Sequence, residues 1–207
     1  MARIGGPLSG AAGVGTNGIR LNSGKSLTIE NCVIRNMAVV GIDFRPTTLL
    51  SNLVVSNTFI AGNIGSGALI FPSGSSPIVR AVFTRVELHN NANGISVLTS
   101  ATNGGGTIHV SAIDSVASNN TSNGFIVSSV IPQANGHLLL LRSAAVNNST
   151  GVTSTGNGAT LRLAQSGLTG NATAYSQSNG ATLATYADNY LDGNGSGAGV
   201  LTTIFKQ

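Results

Sequence analysis

The chain is poor in the side chains from which active sites are usually built. Of 207 residues only six are acidic and ten are Lys or Arg, so charged residues make up 8%, where about 25% is usual. Most acid–base chemistry is excluded before any motif is considered. A single cysteine, Cys32, rules out an internal disulfide and a cysteine-rich metal site. It lies in an alternating apolar run and is expected to be a small buried hydrophobe rather than a nucleophile. Trp is absent and Tyr occurs three times. No apolar run approaches the roughly 18 residues of a membrane-crossing helix. The start, Met1-Ala2-Arg3-Ile4-Gly5-Gly6-Pro7, has no apolar signal-peptide core, so either the chain stays inside the cell or its natural start has been removed. The net charge of +4 comes without any basic run interleaved with aromatics, and no nucleic-acid partner is expected.

What is abundant is glycine, 28 residues, about twice the usual share of roughly 7%. With 41% hydrophobic residues and a mean hydropathy of +0.25, the glycine does not belong to a disordered tail. It recurs in a Gly-apolar-x-apolar unit: Gly18-Ile19-Arg20-Leu21, Gly41-Ile42-Asp43-Phe44, Gly67-Ala68-Leu69-Ile70, Gly94-Ile95-Ser96-Val97, Gly124-Phe125-Ile126-Val127 and Gly151-Val152-Thr153-Ser154, with a faded copy at Thr173-Ala174-Tyr175-Ser176. The units begin 23, 26, 27, 30, 27 and 22 residues apart. Periods of this size mark a solenoid, in which each repeat covers the apolar face of its neighbour.

Ahead of each unit lies a second extended stretch. In the third copy Ala81, Phe83, Val86 and Leu88 alternate with Val82, Thr84, Glu87 and His89 around a polar Arg85, a period of two that assigns strands with the first set inward. The first copy matches through Leu27, Ile29, Asn31, Cys32, Ile34 and Asn36, and the second through Leu53, Val55, Asn57, Thr58, Ile60 and Asn63. Three short strands per turn and no helical period predict an all-β fold, a single-stranded right-handed parallel β-helix of about seven or eight coils. It spans 17–207 after an irregular segment, 1–16. The fourth and fifth coils, around Ser111–Val116 and Leu138–Arg142, each admit two alignments one residue apart.

Asn63, Asn90, Asn120 and Asn147 each stand four residues before a Gly unit, which predicts an asparagine ladder at a bend, where an amide tolerates a left-handed backbone and bonds its equivalent one coil away. Arg20 and Asp43 occupy the same place in consecutive units, so they should pair across about 4.8 Å as an exposed ion pair. If Asp114 takes the bend, Arg85, Asp114 and Arg142 form a further ladder of alternating sign.

The run Gly18–Leu21, Leu27–Asn36, Arg80–Leu88, Asn90-Asn91 and Asn93-Gly94-Ile95 resembles bacterial right-handed parallel β-helix repeat proteins of the pectate-lyase-like fold superfamily, in particular exported proteobacterial proteins of unassigned function. The resemblance implies a secreted, periplasmic or cell-surface location. In enzymes of this fold it also implies a polysaccharide groove along the outer face of one sheet, walled by loops such as 71–77, 98–106 and 128–136. Members of the exported group usually begin with a signal peptide and a stretch containing a cysteine pair, and this chain has neither.

Glycoside hydrolysis needs two carboxyls within reach of each other, and only Asp188 and Asp192 are close in sequence. They flank a turn and read as solvated. Glu87 and His89 share one side of a strand, while His109 and His137 have no acidic neighbour in sequence. No catalytic residue, metal or cofactor is therefore expected. Tyr175 and Tyr186 are the candidates for stacking on sugar, with Tyr175 on the outward column and Tyr190 aligned with inward Leu168. The expected function is a non-catalytic structural or binding surface, for extracellular or envelope polysaccharide. The alternatives are a polysaccharide lyase or glycoside hydrolase with acids drawn from different coils, and a module that self-associates through exposed coil ends.

Overall fold

In a computed structural model of the chain, residues 2–5 and 15–205 are described. They contain strands, bends and turns, and no helix. The chain winds as a parallel β-solenoid of about seven turns. Each turn repeats one order: a first-face strand, a bend, a second-face strand, a second bend, a third-face strand, and a loop to the next turn. The first face stacks Ser26–Glu30, the leading parts of Leu50–Ala61 and Ile78–His89, then Thr107–Ile113, Asn135–Leu141, Ala159–Ala164, Thr182–Thr185 and Thr202–Thr203. The second face stacks the trailing parts of the two long strands with Cys32–Arg35, Val116–Ser118, Ala144–Val146, Gly167–Thr169 and Tyr190–Asp192. The third face is an eight-stranded sheet from Asn17–Leu21 to Ser196–Ala198. Within the segment expected to be irregular, Ala2–Gly5 pairs in parallel with Cys32–Arg35.

Period-two alternation sets which side chains enter the core. Ala81, Phe83, Val86 and Leu88 are buried, while Val82 and Glu87 are exposed. The two ambiguous coils settle with Ile108, Val110 and Ala112 inward and Asp114 at the bend, then Leu138 and Leu140 inward and Arg142 at the bend. Inward columns run through the third face as Ile42, Ala68, Ile95, Phe125 and Val152. The turn that carries the large Phe125 also carries the small Ala112, which balances volume within a close-packed interior.

The glycine of each unit answers to this stacking. A Cβ at Gly94 would lie 2.3 Å from the Gly124 carbonyl oxygen and 2.8 Å from the Ala117 Cβ, closer than packed atoms tolerate. In the faded copy Ala174 stands in this column, 5% exposed, where the solenoid nears its end.

Both bends use the left-handed backbone. At the first, Asn31, Asn57, Arg85, Asp114, Arg142 and Gln165 have φ between 47° and 53°. At the second, Asn36, Gly62, Asn90, Asn119, Asn147, Gly170 and Gly193 have φ between 54° and 67°. Immediately after the second bend runs a ladder of buried amides. Asn63 Nδ2 donates to Asn91 Oδ1 at 2.8 Å, Asn91 to Asn120 at 3.3 Å, Asn120 to Asn148 at 2.8 Å, Asn148 to Asn171 at 3.0 Å and Asn171 to Asn194 at 2.9 Å.

Asn63 and Asn120 thus stand in the amide column, whereas Asn90 and Asn147 do not. They occupy the left-handed bend, and Asn91 and Asn148 take the rungs. The reason is a variable connector: the rung lies four residues before the glycine at Gly67 and Gly124 but three before it at Gly94 and Gly151.

A second buried column, not foreseen from sequence, follows the first bend. Backbone N–H groups of Val86, Ser115 and Ser143 donate at 3.1 Å to the hydroxyls of Ser115, Ser143 and Ser166, and Ser166 N–H donates to Asn189 Oδ1 at 2.7 Å. These side chains satisfy backbone donors that a corner would otherwise leave buried and unpaired.

Candidate functional site

The third face, beside the long loops, is closed over at three of its outward positions. Its outward residues Asp43, Leu69 and Ser96 are 1%, 8% and 2% exposed. The loops do stack on one side, Thr102–Asn103 pairing with Gly74–Ser75 and Gly105 N–H donating to the Pro132 carbonyl.

The open cleft lies on the first face instead. It encloses about 880 Å³ and is lined by His109, Ser111, His137, Leu139, Arg162, Tyr186, Ile204 and Phe205, with backbone of neighbouring residues. Parallel register builds it. His109 and His137 are directly paired across adjacent strands, so their rings stack with centroids 4.8 Å apart and planes 15° apart. Arg80 pairs with His109 on the other side. Arg162, on the next strand, pairs with Leu139 and so stands two residues beyond the row, which Thr160 continues. Four basic residues from four successive strands therefore follow the solenoid axis.

Among the described residues no carboxylate lines the cleft. Arg162 forms no salt bridge among the described residues. Nδ1 of His137 is buried without a hydrogen-bond partner. Burial, reinforced by His109 and Arg162, holds the His137 imidazole below its ordinary range, so the neutral ring is favoured while the site is empty.

The tyrosines part company. Tyr186 lines the cleft, half-buried. Tyr175 pairs in register with inward Val152 and packs on the core, where a Cβ at Gly197 would touch its ring at 2.6 Å. Tyr190 pairs with Gly167 and is 78% exposed, while Leu191 is the partner of Leu168. The expected orientations of Tyr175 and Tyr190 are thus reversed, because each of their strands is offset by one residue: Ala174 rather than Thr173 takes the glycine column, and Leu191 rather than Tyr190 faces Leu168.

The acids are engaged elsewhere. Asp43 is buried rather than exposed, with Arg20 Nε at 3.5 Å and Arg45 Nε at 2.6 Å. Arg45 also lies 4.7 Å over the Phe71 ring. Arg142 holds Asp114 through two hydrogen bonds, of 2.8 and 3.2 Å, and Arg85 turns the other way to Asn57 Oδ1 at 2.7 Å. Asp188 accepts the Gln165 N–H and Asp192 the Gly193 N–H.

Glu87, His89 and Ser118 form a chain on the second face, with Glu87 Oε2 3.1 Å from His89 Nε2 and Ser118 Oγ on His89 Nδ1. This has the order of a nucleophilic relay. Ser118, however, is 7% exposed and receives the Asn119 amide, and it lines none of the clefts described. The arrangement closes a surface network rather than presenting a nucleophile.

No group of three or more His, Cys, Asp or Glu able to hold a metal ion occurs among the described residues. No helix among them is long and apolar enough to cross a membrane. Comparisons with protein-family models, with curated proteins and with solved structures find no match. The class defined by the coordinates is the parallel β-solenoid.

Proposed function

We propose that this chain is a non-catalytic β-helix whose first face binds an extended polysaccharide outside the cytoplasm, as suits the exported bacterial β-helix proteins that it resembles. The observation that carries this reading is the cleft over His109, His137, Arg162 and Tyr186: donors and an aromatic ring converge there, and no described carboxylate stands among them to serve as acid or base. A volume of about 880 Å³ falls in the range of ligand sites, roughly 300–1,000 Å³. Its axis follows the coil stack, so successive units of a linear polymer meet successive coils.

The test is electrophoresis of the purified protein through gels containing acidic or neutral polysaccharides, paired with assays for new reducing or unsaturated ends with and without Ca²⁺. Retention without cleavage, lost in Arg162→Ala and Tyr186→Ala, is the expected result. Cleavage overturns the non-catalytic reading in favour of a lyase or hydrolase.

A second reading, self-association through coil ends, draws on the terminal strands of the third-face sheet, Asn17–Leu21 and Ser196–Ala198, each paired on one side only among the described residues. Such edges offer free backbone groups to another chain. A mass above one chain at micromolar concentration supports it, and a monomer refutes it.

A further inference from the structure

We propose that the first-face cleft is a proton-linked anion site: Arg80, His109, His137 and Arg162 take a carboxylated or sulfated polymer, and the two histidines gain protons as it binds. The inference rests on the polysaccharide reading and names the ligand class and its control.

Three observations support it. The first is charge placement. Arg80, His109 and His137 lie in one register row on three consecutive first-face strands, about 4.8 Å apart per strand; Arg162 stands on the fourth strand, two residues further along, beside Leu139, and no acid among the described residues lines the cleft. The titratable and charged groups facing the histidine pair are Arg80 from the strand below, Arg162 from the strand above, and Tyr186 from the last turns. Asn52 and Thr160, which continue the histidine column at its two ends, are neutral.

The second is the stacking of the rings at 4.8 Å. Two imidazolium ions directly opposite each other on parallel strands repel, and two arginines add to that repulsion. In the empty site the pair therefore resists full protonation, and a bound anion removes the resistance. The third is the unpartnered, buried Nδ1 of His137. A buried polar atom without a partner carries a desolvation cost that a ligand group or a water brought with it offsets.

The sign follows. Anion binding favours the protonated imidazolium, so the affinity gained by proton uptake is present below the lowered empty-site value of His137 and lost as pH rises through that of the complex. Binding is therefore tightest at a pH below the lowered value of the empty site, itself under the ordinary 6.5; well above 6.5 only the arginines hold the ligand.

The experiment compares two polymers with one backbone and different charge, carboxymethylcellulose and hydroxyethylcellulose, by titration calorimetry at pH 5.5 and pH 8 and constant ionic strength. For carboxymethylcellulose the expected result is an affinity on the order of tenfold higher at the lower pH, which corresponds to about one unit of pKa displacement on binding. His109→Gln/His137→Gln should flatten that ratio to near one while retaining the circular dichroism of the parent. Arg162→Ala should weaken binding at both pH values and keep the ratio. Dextran sulfate, whose charge does not titrate in this range, should show the same pH dependence, which assigns the protons to the protein.

Equal affinity for the charged and neutral celluloses overturns the anion proposal and leaves the polysaccharide reading standing. Binding to carboxymethylcellulose that is independent of pH, or a pH ratio unchanged in the double variant, overturns the role of the histidines. Binding to none of the three polymers overturns both readings.

Discussion

The two bends of each turn share one backbone conformation and differ in everything else. At the first bend the left-handed residue is Asn, Asn, Arg, Asp, Arg and Gln in successive turns. At the second it is only Asn or Gly, and the residue after it is a buried Asn from Asn63 through Asn171 and a half-buried one at Asn194. A left-handed backbone alone therefore does not demand a short amide side chain. It costs most residues about 1–2 kcal/mol, which a stacked β-solenoid absorbs repeatedly. What restricts the second bend is its neighbour. The rung amide must accept the backbone N–H and side-chain N–H of the coil before it and donate to two oxygens, as Asn120 does with Asn91, Asn148 and Leu88. At the first bend the corresponding corner is closed more cheaply by serine hydroxyls, so the exposed residue before it is free to vary.

The sharpest way to break this comparison is to substitute adjacent asparagines. Asn91→Leu removes a rung: the buried backbone and side-chain N–H groups of Asn63 lose their acceptor, and Ile60 and Asn120 each lose a donor, although Asn120 keeps the backbone N–H of residue 91. At about 1–3 kcal/mol for each such group, a loss of roughly 3–5 kcal/mol is expected. Asn90→Leu, one residue earlier and exposed, should cost about 1 kcal/mol through its positive φ, and Asn90→Gly should be close to neutral. Urea midpoints at constant m value measure all three. Equal losses at positions 90 and 91 would remove the distinction between bend and rung.

A smaller effect is expected at Asp43, whose carboxylate is buried although it sits on the outer side of the third face. Asp43→Asn frees Arg20 and Arg45, but these remain 48% and 33% exposed at their side chains,. The loss should therefore fall below that of a fully buried pair, at about 1–3 kcal/mol. Thermal unfolding of the variant in low and high salt checks it. Salt should change the loss little, because the acid is shielded from solvent ions.

The same contrast explains what could be read before the structure. The Gly-apolar-x-apolar unit and the strict alternation of Ala81 through Leu88 are consequences of stacking repeated in every turn, so fold and core were legible. The rungs were legible only to within one residue. Three of them sit in Asn-Asn doublets, Asn90-Asn91, Asn119-Asn120 and Asn147-Asn148, and both members of a doublet have a reason to be asparagine. The cleft was the least legible feature. His109 and His137 are 28 residues apart, and they meet only if Asp114 and Arg142 are both bend residues. The available signal was a common offset: Arg80, His109 and His137 each stand five residues before Arg85, Asp114 and Arg142. Tyr186 was chosen for its chemistry alone, and its histidine and arginine neighbours come from other turns.

The exposed first bend supplies the smallest expected effect and the most specific signature. The Asp114 carboxyl is held below its ordinary value of 3.8, first by its hydrogen bond to Arg142 and then by the charges of Arg142 and Arg85. A depressed folded-state value means that the contribution is present above the ordinary carboxylate range and is lost as pH falls through the lowered value. Asp114→Asn should therefore unfold slightly earlier than the parent at neutral pH. The difference should shrink as the medium is acidified past 3.8, and 1 M salt should largely erase it even at neutral pH, because both groups face solvent. Thermal melts across that pH series settle the point. A difference as large as that of Asn91→Leu, or one that persists in strong acid, would show that the charged bend column fixes register as the buried amides do, and the division between the two bends would fail.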